Sequence, residues 1–173
     1  YTVMLSKAVG STGSVVAFEP EPQAYNHLND NIKLNSLQNV RPLNFALGDT
    51  ESEEKLFLQH TGASRLGLPT VVDGGYQIVR VREGDNLIES DGLPIPQIIK
   101  IDVEGHEWSV INGMKNILKS PGCHTVCCEI HPPLLPVGVK ADDILNLLDS
   151  LGFVRTDIIQ RGTSEYHSIS RKI

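Results

Sequence analysis

Three charged residues alternate along an otherwise apolar segment, IIKIDVEGHEW at residues 98–108. Lys100, Asp102 and Glu104 share one parity, so an extended chain points their side chains to one face. Burying a lone charge costs several kcal/mol of desolvation free energy, whereas opposite charges two residues apart offset each other. One interpretation is a structural salt bridge between Lys100 and a neighbouring carboxylate. The other is an acidic cluster that Lys100 holds in place to face a cationic ligand, and the two are compatible.

A carboxylate and an imidazole lie two residues apart in CCEIHPP, residues 127–133. Glu129 and His131 have the same parity at the end of a predicted strand. Because imidazole titrates near neutral pH, the pair could deprotonate a hydroxyl. The alternative is that His131 only packs against the corner formed by the two prolines that follow it.

Carboxylates also follow two other predicted strands. Glu19 ends the first strand, and Asp49 follows the second just past Gly48. Ligands of open α/β sheets bind outside the carboxyl ends of the strands, and a carboxylate there can accept hydrogen bonds from both hydroxyls of a ribose. The alternative for Glu19 is a solvated acid beside a proline turn. Acids at four strand ends favour a ligand site.

The residues after the central segment predict a turn into a helix. Gly105 allows a tight strand-to-helix turn and the close approach of a ligand. Glu107 in the first helical turn suits the positive end of the helix dipole. His106 is expected beside solvent, because a histidine at a helix start is more often a surface residue than a catalytic one.

Composition limits the class of protein. The chain has 173 residues, 40% hydrophobic and 21% charged, which predicts a single globular domain over residues 1–173. No apolar run approaches the ~20 residues of a membrane span. The net charge is −6 and the basic residues are scattered, so neither nucleic acid nor a membrane is expected as a partner. Three cysteines predict no metal site and no disulfide framework, but buried free thiols in a reducing cytoplasm.

The order of predicted elements is that of an α/β fold with a mostly parallel sheet. Helices are predicted at residues 1–10, 22–36, 106–120 and 140–152, and strands at 14–20, 39–49, 96–105 and 124–133. Residues 51–90 lack a clean helix and predict an antiparallel insertion, with strands at 54–59 and 76–82. The loop between those strands is expected to cover the site. Arg65 in this loop could meet a substrate phosphate or carboxylate, but we expect it to be solvated. Segments 153–160 and 165–172 predict a closing antiparallel pair.

Two long motifs resemble the FkbM family of S-adenosylmethionine-dependent methyltransferases. They are VVAFEPEPQAYNHLNDNIKLNSLQNVRPLNFALGD and IIKIDVEGHEWSVINGM, and the resemblance runs from residue 1 to about residue 132. It implies a Rossmann-like class I methyltransferase sheet with a C-terminal antiparallel strand pair. It also implies O-methylation of a sugar or another small-metabolite hydroxyl, with a small molecule or glycan as the acceptor.

The resemblance assigns roles to particular positions. Glu19, with the adjacent Pro20, would hold the ribose of S-adenosylmethionine, and Ala46 and Leu47 would lie along the adenine. Asp102 would sit near the methionine end or the transferring methyl group. With Glu129 and His131, Asp102 completes the set of predicted catalytic residues.

Two features depart from the family pattern. A Leu-Asp pair usually follows the insertion strand, whereas this chain has Gly84-Asp85, which leaves the role of Asp85 open. The family's first strand and Gly-rich loop precede the helix with which this sequence starts. We therefore expect the native protein to extend upstream by at least a strand and a glycine loop.

Two other functions stay open at this point. A nicotinamide-dependent oxidoreductase also places an acid at the end of that strand, although the chain contains no GxGxxG. A non-catalytic module that keeps the sheet without the cofactor loop is the second alternative.

Overall fold

The computed structural model describes residues 1–58, 64–66, 75–161 and 165–172. The helices in these ranges are α1 (Thr2–Val9), α2 (Pro22–Leu34), α3 (Asn86–Ser90), α4 (Glu107–Asn112), α5 (Lys115–Lys119) and α6 (Ala141–Ser150). The strands are β1 (Val15–Phe18), β2 (Val40–Leu43), β3 (Ala46–Gly48), β4 (Ser52–Phe57), β5 (Arg65–Leu66), β6 (Tyr76–Glu83), β7 (Ile98–Ile101), β8 (Thr125–Ile130), β9 (Val154–Arg161) and β10 (Glu165–Arg171). None of the helices in the described ranges has the length and apolar character needed to cross a membrane.

The strands form three hydrogen-bonded groups, which confirms an α/β fold with mixed sheets. β1 pairs with β2 in parallel, and β7 pairs with β8 in parallel within the order β7-β8-β10-β9. β10 pairs antiparallel with both β8 and β9, so the predicted C-terminal antiparallel pair is confirmed. Within the described residues β1 and β7 belong to different groups and are not paired with each other.

The segment predicted as one strand at 39–49 is two strands in different groups. β2 pairs with β1, and β3 pairs in parallel with β6. Asn44 lies between them, and its side-chain amide donates to the backbone oxygens of Glu19 at 2.8 Å and Pro20 at 3.3 Å. The turn at Asn44 therefore interrupts the strand and ties it to the end of β1, a side-chain interaction that strand periodicity does not reveal.

The insertion has the predicted antiparallel character. β4 pairs with β6 over six residues on each strand, and β5 pairs with the end of β4. Arg65, on β5, was expected to be solvated, but it is only 7% exposed. The rest of the loop predicted to cover the site lies outside the described residues, apart from Ser64, Leu66 and Gly75. The short helix α3 was also not predicted.

The helix predicted at 106–120 is interrupted into α4 and α5. At the break, a Cβ on Gly113 would overlap the carbonyl oxygen of Gly48, so the chain passes directly against the end of β3. The carboxylate of Asp85 then accepts the backbone N–H groups of Asn116 at 2.9 Å and Ile117 at 2.8 Å. Asp85 thus caps the first turn of α5, which gives a structural role to the residue whose role was open.

The main core lies where α4, α5 and α6 pack on β7 and β8. Its fully buried side chains include Ile111, Leu118, Ile130, Ile144 and Leu148, at the apolar positions of those elements. All three cysteines are free thiols. Cys123 and Cys128 are buried as predicted, whereas Cys127 is only half-buried.

Candidate functional site

Lys100 joins the ends of β7 and β8. Its Nζ lies 3.1 Å from Oε2 of Glu129 and 3.4 Å from Oδ2 of Asp102. β7 and β8 are parallel neighbours, so their carboxyl ends meet at one edge of the sheet. The predicted salt bridge is therefore present, and the same contacts draw two of the predicted catalytic residues together. The ring centroid of Tyr1 lies 5.1 Å from Nζ, which brings the start of α1 to this edge.

A strained turn follows β7 and aims Glu104 at His131. Glu104 has a φ of 51°, a left-handed conformation that is uncommon for a residue with a side chain, and Gly105 has a φ of 98°. Oε2 of Glu104 lies 3.8 Å from Nε2 of His131. Burial raises the pKa of the Glu104 carboxyl.

Glu107 lies in the first turn of its helix, as expected, but its contacts were not predicted. It occupies the positive end of α4, and its side chain is 0% exposed. Its Oε1 lies 2.7 Å from Nδ1 of His131 and accepts the backbone N–H of Gly105 at 2.9 Å. The available signal was its spacing, because Glu107, Val110 and Ile111 occupy positions i, i+3 and i+4 of the buried helix face.

His131 follows β8 and is 7% exposed. It directly precedes the 3-10 turn Pro132–Leu134, and its ring is held by the carboxylate of Glu107. Its second nitrogen, Nε2, lies 3.9 Å from Oε1 of Glu129. The hydrogen bond with Glu107 raises the pKa of His131 in spite of burial, which acts in the opposite direction.

His106 also differs from its prediction. It precedes α4 as expected, but it is half-buried, and its Nε2 would lie 3.3 Å from a Cβ on Gly48. Burial lowers the pKa of His106. It therefore packs against the end of β3 instead of facing solvent.

Apart from Asp102, the predicted cofactor residues form a second group: Glu19 and Pro20 follow β1, and Ala46 and Leu47 lie in β3. Oε1 of Glu19 accepts the backbone N–H of Glu21 at 3.0 Å, and burial raises the pKa of the Glu19 carboxyl. In the described part of the chain no hydrogen-bond donor contacts Oε2 of Glu19. Ala46 is buried in β3 and Leu47 is half-buried beside it, and Asn44 ties this segment to Pro20.

The two groups have different chemistry. At the ends of β7 and β8, four carboxylates lie around the ammonium of Lys100 and the imidazole of His131; they belong to Asp102, Glu104, Glu107 and Glu129. The ring of His167 also lies beside this cluster, with Nδ1 3.4 Å from Oε2 of Glu129. This excess of negative charge suits a cation. Asp102, Glu104 and His131 each place a possible metal-ligand atom within 4.8 Å of the other two. Lys100 already supplies a cation at this edge. The absence of a metal site stays a prediction. Among the described residues no contact joins Glu19 directly to this cluster.

Comparison with known proteins gives one family and several relatives. Residues 1–155 match the family described as the Methyltransferase FkbM domain. The hexuronic acid methyltransferase AglP of Haloferax volcanii is 31% identical over 159 residues, which cover 92% of this chain and 62% of that protein. The chain thus spans about 62% of the length of this curated relative.

Two solved structures share the fold. The methyltransferase FkbM from Methylobacillus flagellatus KT aligns with a TM-score of 0.65 at 14% identity, covering 98% of this chain and 41% of that one. The fibrillarin pre-rRNA processing protein of Methanococcus jannaschii aligns with a TM-score of 0.51 at 13% identity, covering 92% and 56%. At these identities the likeness shows the fold alone, and it agrees with the predicted class I methyltransferase architecture.

Proposed function

This chain belongs to the FkbM methyltransferase domain family, and on that premise we propose that it is an S-adenosylmethionine-dependent O-methyltransferase acting on a hydroxyl of a sugar or another small metabolite. The observation that carries the proposal is the carboxylate-rich edge where β7 and β8 end, with His131 placed among acids. A cationic methyl donor and a hydroxyl acceptor both suit that edge. The named activity of the relative AglP supports a sugar acid as the acceptor.

The residues at the end of β1 fit the cofactor. S-adenosylmethionine, when bound, supplies a methyl group on a positively charged sulfur and carries a ribose with two hydroxyls. Glu19 keeps one oxygen clear of described donors while the other is held by the Glu21 backbone, so its carboxylate is pre-oriented to accept ribose hydroxyls. Pro20 fixes the chain after it, and Ala46 and Leu47 offer an apolar surface for adenine. Asp102, at the acidic edge, would face the cationic end of the cofactor.

The chain's contribution to methyl transfer is placement and proton removal. Holding two reactants in line supplies much of the rate enhancement of a displacement reaction. As the acceptor oxygen bonds to the methyl carbon, its proton must leave, and Glu129 and His131 form the base that takes it. Lys100 keeps Glu129 and Asp102 in position through their ion pairs.

The test is to incubate the full-length protein with S-adenosylmethionine carrying a labelled methyl group and with glucuronic acid or another hexuronic acid. We expect the label in the sugar product and equimolar S-adenosylhomocysteine. Calorimetric titration with S-adenosylmethionine and, in parallel, with NAD separates this function from an oxidoreductase. Binding of NAD alone, or binding of neither compound, would contradict the proposal.

A further inference from the structure

The two ring nitrogens of His131 have different surroundings. Nδ1 lies 2.7 Å from Oε1 of the fully buried Glu107. Nε2 lies 3.8 Å from Glu104 and 3.9 Å from Glu129, and both distances exceed that of a hydrogen bond. Among the side chains that the structure describes, none reaches Nε2 at hydrogen-bonding distance. Nε2 is therefore the nitrogen available to a bound hydroxyl.

The carboxylate of Glu107 decides which nitrogen carries the proton. Its Oε1 also accepts the Gly105 N–H at 2.9 Å, so that oxygen acts as an acceptor, and a carboxylate has no proton to donate. Nδ1 of neutral His131 must then be the protonated nitrogen, because it is the one that faces the acceptor. The lone pair of the neutral ring is left on Nε2.

Given the proposed methyltransferase function, we propose that Glu107 is a positioning residue that holds His131 with its Nε2 lone pair toward the acceptor, which makes His131 the proton acceptor of the reaction. The acceptor O–H bond breaks, Nε2 takes the proton, and the oxygen's electron pair forms the bond to the methyl carbon. The electron pair of the broken carbon–sulfur bond stays on sulfur. The imidazolium that results keeps its hydrogen bond to Glu107.

The surroundings of His131 favour that imidazolium. Carboxylates face the ring from four elements: Glu107 from α4, Glu104 from the turn after β7, Glu129 from β8 and Glu165 from β10. Asp102 adds its field from beyond β7, and the side chains of Lys100 and His167 contact Glu129. Negative charge on these elements stabilises the positive ring, and the raised pKa of His131 agrees with this.

The test reads the proton positions directly by nitrogen NMR on full-length protein with ¹⁵N-labelled histidine. The His131→Asn variant assigns the signals, because an asparagine amide can still donate to Glu107 and preserve the fold. We expect neutral His131 to carry its proton on Nδ1. Neutral His131 with its proton on Nε2 would overturn the proposal.

The Glu107→Gln variant tests the role of the carboxylate charge. Glutamine keeps an acceptor oxygen, so the ring stays in place, but hydrogen bonds to charged groups are stronger and the proton affinity of His131 should fall at least about tenfold. Glu165→Gln is the matched control: it removes the same charge from a residue that lies within 4.8 Å of His131 and is not hydrogen-bonded to it. An equal fall in both variants would assign the effect to the general field and refute a specific role for Glu107.

A pH profile of turnover separates this inference from the proposed function. With glucuronic acid as the acceptor, transfer requires neutral His131, so the acid limb of kcat should move to lower pH in Glu107→Gln while calorimetric affinity for S-adenosylmethionine is kept. A wild-type protein that transfers no methyl group contradicts the proposed function. Transfer with an unchanged acid limb in Glu107→Gln contradicts the role of Glu107 alone.

Discussion

Gly113, at the end of α4, lies with its Cα directly against the backbone of Gly48, at the end of β3. A Cβ on Gly113 would overlap the carbonyl oxygen of Gly48 and lie 2.6 Å from its carbonyl carbon. Both partners are backbone atoms, so neither can rotate away. This contact sets the distance between the helix that carries Glu107 and the strand that carries Ala46 and Leu47.

The Gly113→Ala substitution should therefore lower the free energy of unfolding by about 3 kcal/mol, the upper end of the usual cost of overpacking. Urea denaturation followed by circular dichroism measures it. Gly122→Ala is the matched control, since a Cβ there would meet the flexible Ile95 side chain at 3.2 Å. A Gly113→Ala loss no larger than that of Gly122→Ala would show that the backbone contact is not tight in solution.

Asp85 is expected to stabilise α5 by capping it. Asp85→Ala removes the acceptor of two backbone N–H groups and should cost about 1–2 kcal/mol of unfolding free energy, whereas Asp85→Asn keeps one acceptor oxygen and should cost less. The same denaturation experiment measures both. Asp157→Ala, at an exposed position on β9, should change stability by less than about 0.5 kcal/mol. Equal free energies of unfolding for Asp85→Ala and Asp157→Ala would contradict the capping role of Asp85.

Glu19 is expected to bind the cofactor ribose. Glu19→Ala should weaken S-adenosylmethionine binding by about 1.5–3 kcal/mol, the scale of hydrogen bonds to a charged group. Isothermal titration calorimetry measures the change, with Glu53→Ala on the exposed face of β4 as the control. Unchanged affinity in a folded Glu19→Ala protein would place the ribose elsewhere.

The raised pKa of Glu19 gives that interaction a pH dependence. The ionised carboxylate is the better hydrogen-bond acceptor, so cofactor affinity should fall with acidification, starting at a higher pH than for an ordinary glutamate. The cofactor affinity of Glu19→Gln should lack this pH dependence, because glutamine does not titrate. A constant ratio of wild-type to Glu19→Gln affinity between pH 7 and pH 4.5, the ordinary value for glutamate, would contradict the prediction.

The pH dependence that Glu19 gives to folding stability has the opposite sign to the one that it gives to cofactor affinity. A carboxyl whose pKa is raised by folding binds its proton more tightly in the folded state, so its contribution to the free energy of unfolding increases as pH falls through the folded pKa. Glu19→Gln should therefore be more stable relative to wild type at neutral pH than under mildly acidic conditions. Denaturant melts at the two pH values measure this difference.

Local patterns predicted the parts of the site that depend on neighbours in sequence or on adjacent strand ends. Lys100, Asp102 and Glu129 could be placed together because charges at the ends of parallel strands converge at one edge. The contact of Glu107 could not be predicted in this way, since its hydrogen-bond partner His131 follows a different strand. Asn44 escaped prediction for the same physical reason: its amide bonds to the end of a strand distant in the sequence.

The helix break at Gly113 shows a second kind of limit. Glycine in a helix costs only about 1 kcal/mol relative to alanine, so periodicity alone allowed a continuous helix over 106–120. The break follows from packing against Gly48 and from the cap that Asp85 provides, and both are tertiary contacts. Secondary-structure propensity was right about the type of these elements and wrong where a distant residue decides the boundary.

The turn at Gly105 has a consequence for engineering by recombination. A Cβ at that position would overlap the carbonyl oxygen of Leu134 and lie 2.6 Å from its Cβ. The turn after β7 and the 3-10 turn after β8 therefore pack against each other without room for a side chain at residue 105. A chimera that takes one of these turns from a homologue and keeps the other would bring together surfaces shaped for different partners. Crossover points should therefore be chosen outside the span from β7 to the 3-10 turn, so that both turns come from the same parent.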